Sequence, residues 1–244
     1  MSKRLKFFLS HLFISFLLAL LAVGLVFFIW YPTPLAKAVG VTHIFLMMLA
    51  IDVIIGPVLG LLIYKESKKT LKLDLTIIII IQIVALFYGI YGIEQGRPVW
   101  LAYNVDRFEM IRKNEIIQDH VGQALQQFQS PSWLKPSFVA VEFSQHLEER
   151  NQNMFEEVFG GISLAQRPER YINIVQAKLQ IQQRAKKIEE LKHYNNEKSV
   201  MDALVKYPKA NAFVPLKANA VDMTVLVNKN TGEVVKIVDL RPWK

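Results

Sequence analysis

Few side chains in this sequence combine the residue type and the spacing that catalysis or metal binding requires. Beyond the apolar N-terminal third, His120, His146 and His193 are scattered, and none stands at metal-ligand spacing from another. The absence of cysteine excludes a thiolate nucleophile, a cysteine-type metal site and a disulfide framework. Residues 161–165 (GISLA) come close to a nucleophile elbow, but no predicted strand leads into them. We therefore predict no enzymatic activity, no cofactor and no metal site.

Two polar side chains stand inside long apolar runs, where polarity is costly. Asp52 is near the middle of one run and Gln82 near the middle of the next, so the two could meet at the same depth. A carboxyl group at the centre of a bilayer costs roughly 3 kcal/mol or more, which makes Asp52 a functional candidate. A protonated Asp52 bonded to Gln82 would fix helix register, and contact with a partner's helix is the alternative. Transport is disfavoured because His11 and His43, the other titratable groups available, lie near span ends.

Small and kinking residues follow Asp52 by one helical turn. Pro57 lacks a backbone donor and should kink the helix, while Gly56 and Gly60 form a face on which another helix can pack closely. We therefore name Asp52, Gly56, Pro57 and Gln82 as candidate residues for contact between helices or with a partner.

Three membrane helices would position these residues. The apolar runs that are long enough for a membrane helix are residues 7–30, 39–64 and 73–93. Each exceeds the roughly 20 residues that a helix needs to cross the hydrocarbon layer. Pro32 and Pro34 mark the turn after the first run, because neither can donate to a continuing helix. The sequence thus predicts a three-helix transmembrane domain over residues 1–94 and a second domain over residues 95–244.

The charge distribution orients these helices. Of the net charge of +8, only +3 lies beyond residue 93, so most of the basic excess flanks the spans. Basic residues cluster before the first span (Lys3, Arg4, Lys6) and after the second (Lys65, Lys68, Lys69, Lys72). This pattern predicts a cytoplasmic N-terminus in the bacterial inner membrane and a C-terminal domain outside, which in a Gram-negative cell is the periplasm. It also argues against a nucleic-acid partner, since most of the basic excess flanks the spans and orients them in the membrane.

The N-terminus has a second interpretation as a cleavable signal peptide. Basic residues precede the first apolar run, and residues 36–38 (AKA) follow it like a cleavage site. The run is much longer than the roughly 7–15 residues of a signal core, which favours an uncleaved anchor. Both alternatives leave the C-terminal domain on the same side of the membrane.

The C-terminal domain alternates β-rich and helical patterns. Strands are predicted at residues 98–112 and 137–143, and helices at residues 116–128 and 144–159. Residues 168–194 predict the longest helix, with an apolar stripe that packs on the domain's own sheet or docks another helix. The runs 223–227 and 234–239 predict a hairpin in which Gly232 adopts positive φ. We expect an α+β domain with an antiparallel sheet and one long helix.

Short strings along the chain, taken in order, are similar to one known family. In the membrane part they are residues 52–57 (DVIIGP), 68–69 (KK), 74–75 (DL), 82 (Q) and 88–89 (YG). In the C-terminal domain they are residues 97–98 (RP), 106–109 (DRFE), 166–171 (QRPERY), 213–216 (FVPL) and 241–243 (RPW). Their order resembles that of the type IV pilin accessory proteins of the TfpX/TfpZ kind, also called fimbrial assembly proteins.

The resemblance implies a non-enzymatic inner-membrane factor that acts on the major type IV pilin, through its stability, its assembly or the balance of pilus extension and retraction. It supplies no catalytic or ligand-binding residues. The candidate family-motif residues of the C-terminal domain are Arg97, Pro98, Asp106, Arg107, Pro168, Arg170, Tyr171, Pro242 and Trp243.

The partners expected are the major pilin, the lipid bilayer and, as a further candidate, a second copy of this chain in a homo-oligomer. The alternative function is that of a membrane-anchored periplasmic sensor or ligand-binding protein. Such a protein would have to relay its state through a partner chain, because only short tails and one Lys-rich loop are predicted in the cytoplasm.

Overall fold

The computed structural model describes residues 1–142, 155 and 159–244. The N-terminal part contains α1 (Lys3–Gly24), a π-helical continuation (Leu25–Trp30), α2 (Leu35–Val39), α3 (Val41–Ile63) and α4 (Leu71–Gln95). Three of its helical stretches are long and apolar enough to cross a membrane, and we call them the first (Lys3–Trp30), second (Val41–Ile63) and third (Leu71–Gln95) spans. These helices confirm the three predicted spans to within a few residues.

The second span packs against both of the others. Most side chains of the three spans face outward and are apolar, as contact with lipid requires. The α-helix of the second span continues through Pro57.

Eight strands form one sheet among the described residues. They are β1 (Pro98–Asn104), β2 (Arg107–Arg112), β3 (Ser137–Val141), β4 (Tyr171–Asn173), β5 (Lys186–Lys187), β6 (Ala212–Lys217), β7 (Met223–Asn228) and β8 (Glu233–Val238). The order is β4-β3-β1-β2-β6-β7-β8, and β5 pairs with the start of β6. The described part of the domain also contains the short helices α5 (Lys178–Arg184) and α6 (Glu197–Lys206).

The sheet is mixed, so the prediction of an antiparallel sheet is wrong in this respect, while the α+β class is confirmed. Strands β1 and β3 are parallel, and so are β2 and β6. The reason is the position of the β1–β2 hairpin, which lies inside the sheet and whose neighbours on both sides arrive by long connections. The predicted single strand at residues 98–112 is this hairpin, which turns at Val105 and Asp106.

The predicted long helix at residues 168–194 does not form. Residues Tyr171–Asn173 pair with β3, and Lys186–Lys187 pair with β6, which leaves only Lys178–Arg184 as an α-helix between them. Most of the predicted apolar stripe is nevertheless buried against the sheet, so the interpretation as self-packing holds although the backbone changes type. Strand pairing has overridden the local helical preference.

The remaining predictions for the domain have mixed outcomes. Residues 116–128 form two short 3₁₀ turns, Val121–Gln123 and Gln126–Phe128, rather than one helix. Only Ala124 and Phe128 of this segment are buried, too few for a helical apolar face. The C-terminal hairpin β7–β8 is confirmed, with Gly232 at φ +70°. Of the helix predicted at residues 144–159, only Phe155 and Phe159 are among the described residues and both are helical; the rest, with His146, lies outside them.

The loop between the first two spans packs into the C-terminal domain. Leu35 and Ala38, on α2, belong to the same buried cluster as residues of β1, β2, β6 and β7. The backbone N–H groups of Ala220 and Val221 both donate to the carbonyl of Ala38, at 2.9 and 3.2 Å. Lys37 forms an ion pair with Asp239 at 2.6 Å. The core of the C-terminal domain is therefore built partly from residues of the membrane-spanning part.

Candidate functional site

A polar cluster joins the three spans at membrane depth. The side-chain amide of Gln82, in the third span, donates to Ser15 Oγ of the first span at 2.9 Å and to the backbone carbonyl of Asp52 in the second span at 2.8 Å. Asp52 and Gln82 thus meet, but through the backbone of Asp52 rather than its carboxyl group. In lipid, such bonds between helices contribute about 1 kcal/mol each and fix the register of the spans.

The carboxyl group of Asp52 takes no part in this hydrogen-bond network. Its Oδ2 atom is buried and has no hydrogen-bond partner among the described residues. A cavity of about 140 Å³ opens beside it, lined by His11, Ser15 and Gln82 together with apolar side chains of all three spans. Ser15 and His11 were not predicted as site residues. The signal that could have found Ser15 is its position, since it is a polar residue near the middle of the first apolar run.

The predicted small-residue face is used within the chain. Gly56 lies directly against the side chain of Gln82, and Gly60 lies against the ring of Phe7 in the first span. Each glycine thus lets a different neighbouring helix approach. Pro57, between them in the sequence, is also buried. Three of the four predicted membrane residues, Asp52, Gly56 and Gln82, therefore surround one point between the spans.

A second cluster fixes the C-terminal domain to the membrane helices. Arg97 is only 1% exposed, and its Nε donates to Glu94 Oε1 at 3.1 Å. Lys113, after β2, donates to the same carboxylate at 2.8–2.9 Å. Pro98 follows as the buried first residue of β1. Arg97 and Pro98 thus form the rigid connection between the third span and the sheet.

The next two candidates lie elsewhere, in the β1–β2 turn. Asp106 is exposed, and its backbone N–H donates to the carbonyl of Asn104 at 2.7 Å. Arg107 forms an ion pair with Glu109 at 3.3 Å. Both residues serve the hairpin locally.

Pro168, Arg170 and Tyr171 surround the edge strand β4. Pro168 begins a 3₁₀ turn, and the carbonyl of Arg170 accepts a bond from the N–H of Glu142 at 2.8 Å. The hydroxyl group of Tyr171 donates to the carbonyl of Ala165, and burial raises the pKa of this phenol well above its ordinary range. The Tyr171 ring packs edge-on against Trp100, with 5.6 Å between ring centroids. These residues form part of a packed core.

The terminal candidates fold back onto the loop between β6 and β7. Pro242 is buried, and the Trp243 indole N–H donates to Asp222 Oδ2 at 2.6 Å. The nine family-motif residues of the C-terminal domain therefore stand at four separate places. They position elements of the fold, whereas Asp52, Gly56 and Gln82 lie close together between the spans.

The serine of the GISLA string caps the 3₁₀ turn Leu164–Gln166. Ser163, in the GISLA string, accepts a hydrogen bond from the N–H of Ala165 at 3.2 Å, as a helix-capping serine does. No group of three or more His, Asp or Glu side chains in the part of the chain that is described could hold a metal ion. The site that stands out is the polar cluster between the spans.

Fold and site together define a membrane-anchored α+β protein whose membrane helices carry a specific polar contact. Comparison with known proteins refines this class. The family of the fimbrial assembly protein FimB matches residues 1–40. Fimbrial assembly proteins of Dichelobacter nodosus from serogroups E1 and I are each 31% identical to this chain over 229 residues, which cover 90% of this chain and 89% of theirs.

A third relative, from serogroups C1 and C2 of the same organism, is 35% identical over 116 residues, which cover 47% of this chain and 88% of that protein. The chain therefore belongs to the fimbrial assembly protein family, in agreement with the resemblance found in its sequence strings. No solved structure matches it.

Proposed function

We propose that this protein is a non-enzymatic accessory factor of type IV pilus biogenesis that acts in the inner membrane on the major pilin. The proposal rests on membership of the fimbrial assembly protein family and on the polar cluster between the spans. In this proposal the N-terminus is cytoplasmic and the C-terminal domain periplasmic, as the distribution of Lys and Arg favours.

The single observation that carries the proposal is the unpartnered carboxyl oxygen of Asp52 beside a cavity between the spans. An unsatisfied polar group at membrane depth costs several kcal/mol, so a partner that supplies a hydrogen-bond donor is strongly favoured. A membrane subunit that waits in the bilayer before assembly, as a pilin does, offers its own apolar helix to such a site. Binding there would hold the pilin in one orientation.

The rigid connection between the spans and the C-terminal domain supports recognition at a second level. Arg97, Glu94 and Lys113 tie the domain to the end of the third span, and α2 ties it to the loop after the first. A pilin bound at the polar cluster would therefore meet the C-terminal domain at a defined position. Contacts at both depths would let one accessory factor select one pilin.

Site-specific photo-crosslinking in cells tests the proposal. Ile83 lines the cavity and is 43% exposed, whereas Ile81, on the same helix, is 63% exposed and does not line it. A photoreactive residue at position 83 should crosslink to the major pilin, and the same residue at position 81 should not. The two positions are matched in residue type, helix and depth.

Equal crosslinking at positions 83 and 81 would show that the cavity is not the binding site. Absence of pilin adducts at both positions, together with normal pilin levels and normal piliation in a deletion strain, would overturn the proposed function.

A second candidate function, ligand binding by the C-terminal domain, is favoured by one feature. A mainly polar cavity of about 190 Å³ is lined by Glu109, Glu115, Ser163, Gln166, Lys217 and Asn219. Saturable binding of a small polar molecule, lost on Lys217→Ala with the fold intact, would support it. An unchanged melting temperature across a metabolite library would remove the reason to consider it.

A further inference from the structure

The loop of residues 131–136 lies against the end of the first span. The Trp30 ring, at the last position of that span, packs edge-on against the Trp133 ring with 5.6 Å between centroids. The Trp30 indole N–H also donates to the backbone carbonyl of Trp133 at 3.1 Å. Trp133 is therefore held within about one helical pitch, roughly 5.4 Å, of the end of the span.

The depth of this point in the membrane is fixed by neighbouring contacts. Phe28, two residues before Trp30, is exposed on the outside of the span and so faces lipid. The Tyr31 hydroxyl group donates to the carbonyl of Ile93 near the end of the third span, so both spans end at one level. Trp30, the last residue of the first span, and Ile93, near the end of the third, therefore lie at the level of the membrane–water interface.

The loop presents large apolar side chains at this level. Trp133 is 55% exposed and Leu134 is 53% exposed, although both are in a domain outside the spans. The next residue, Lys135, is exposed and lies where it can reach lipid headgroups. An indole and an isobutyl group followed by a lysine form the combination that favours the interface over bulk water.

We propose that Trp133 and Leu134 insert into the membrane–water interface and give the C-terminal domain its own contact with the bilayer. The occupant of this surface is lipid, because the Trp30 contact holds the loop at the edge of the hydrocarbon layer. The contact adds to the three spans and is independent of any pilin. It lies beside the contact between Trp30 and Trp133.

Fluorescence quenching on the full chain in lipid vesicles tests the insertion. The chain has no cysteine, so Leu134→Cys gives one labelling site for an environment-sensitive fluorophore. Val105→Cys is the matched apolar control, because Val105 is exposed and follows β1, whose seven residues span about 23 Å from the third span. The label at position 134 should show blue-shifted emission, quenching by headgroup spin-labelled lipid and protection from aqueous iodide. The label at position 105 should show the reverse.

A second variant controls for the loss of the Leu134 side chain when position 134 carries the label. Ser132→Cys keeps both apolar side chains and places the label at the adjacent residue, where lipid quenching is again expected. Adding Trp133→Ser and Leu134→Ser should abolish that quenching while the labelled chain stays in the vesicles. Iodide quenching at positions 132 and 134 as strong as at position 105, without quenching by lipid, would overturn the proposal.

Discussion

The hydroxyl group of Tyr31 donates a hydrogen bond to the backbone carbonyl of Ile93 at 2.6 Å. This bond joins the end of the first span to the last turn of the third, where carbonyl groups have no partner within the helix. Both partners are buried. A side chain of the first loop therefore completes the C-terminal end of a helix more than sixty residues away in the sequence.

Replacing this hydroxyl group should be costly. Tyr31→Phe leaves the Ile93 carbonyl buried and unpaired, and we expect the free energy of unfolding to fall by about 1–3 kcal/mol. Tyr88→Phe, on the exposed surface of the third span, is the matched control and should change little. Thermal unfolding in detergent measures both, and equal melting temperatures for the two variants would contradict the assigned bond.

Gly56→Ala should open the polar cluster. An added methyl group would occupy the place of the Gln82 amide, which must then move and lose its bonds to Ser15 and Asp52. We expect a loss of about 1–3 kcal/mol, as for overpacking in a tight core. Gly92→Ala meets no neighbouring atom and should instead stabilise its helix by roughly 0.5–1 kcal/mol. Opposite shifts in melting temperature are the expected result.

Asp52→Asn should leave the protein inserted and folded. The bond from Gln82 goes to the backbone carbonyl of Asp52, which the substitution keeps. Gln82→Leu removes the donor of both bonds and should cost about 2 kcal/mol. Membrane fractionation and melting temperature distinguish these outcomes, and loss of the Asn variant from membranes would show that the carboxylate has a structural role.

Acid should destabilise the C-terminal domain through protonation of Glu115. Burial alone would raise the pKa of this carboxyl group, but hydrogen bonds from Arg112 and Asn219 outweigh it and hold the pKa below its ordinary value. A lowered native pKa contributes stability above the unfolded value of about 4.3, and this contribution is lost as pH falls further through the native pKa. Glu115→Gln should therefore be less stable at neutral pH and show a shallower loss of stability in acid. Parallel stability curves for the two proteins below about pH 4.3 would refute the assignment.

Leu35→Ala tests whether the first loop supports the C-terminal domain. Leu35 is buried among residues of the sheet, so we expect a loss of about 2–5 kcal/mol. Hydrogen exchange should increase in β6 and β7 although the substitution lies far away in the sequence. Leu125→Ala, at an exposed position, should leave exchange unchanged.

The features of the fold and of the site that depend on local sequence patterns could be predicted from the sequence. The spans were predictable because apolar length alone defines them, and the shared depth of Asp52 and Gln82 followed from counting residues. The β7–β8 hairpin was predictable because Gly232 must adopt a positive φ. In each case the evidence lies within single apolar runs or one short hairpin.

The failures came from pairing between distant segments. Residues 168–194 have a helical apolar period, yet β4 forms there by pairing with β3, and β5 forms by pairing with the start of β6, which β2 leaves unpaired. No local sequence pattern indicates pairing with such distant strands. The same holds for Leu35 and Ala38, whose burial in the distant sheet leaves no trace in a short apolar loop. The contact between Trp133 and Trp30 likewise joins residues about a hundred positions apart in the sequence.

The position of α2 within the domain core links folding to membrane insertion. The loop that carries Leu35 and Ala38 is synthesised early, but the strands β6 and β7 that enclose it emerge near the end of the chain. If the first two helices failed to enter the bilayer as a hairpin, the loop would stay on the wrong side and the core would lack two of its members. Such a chain would expose apolar surface to proteases and chaperones. Completion of the domain core therefore requires that the loop between the first two spans and the strands β6 and β7 lie on the same side of the membrane.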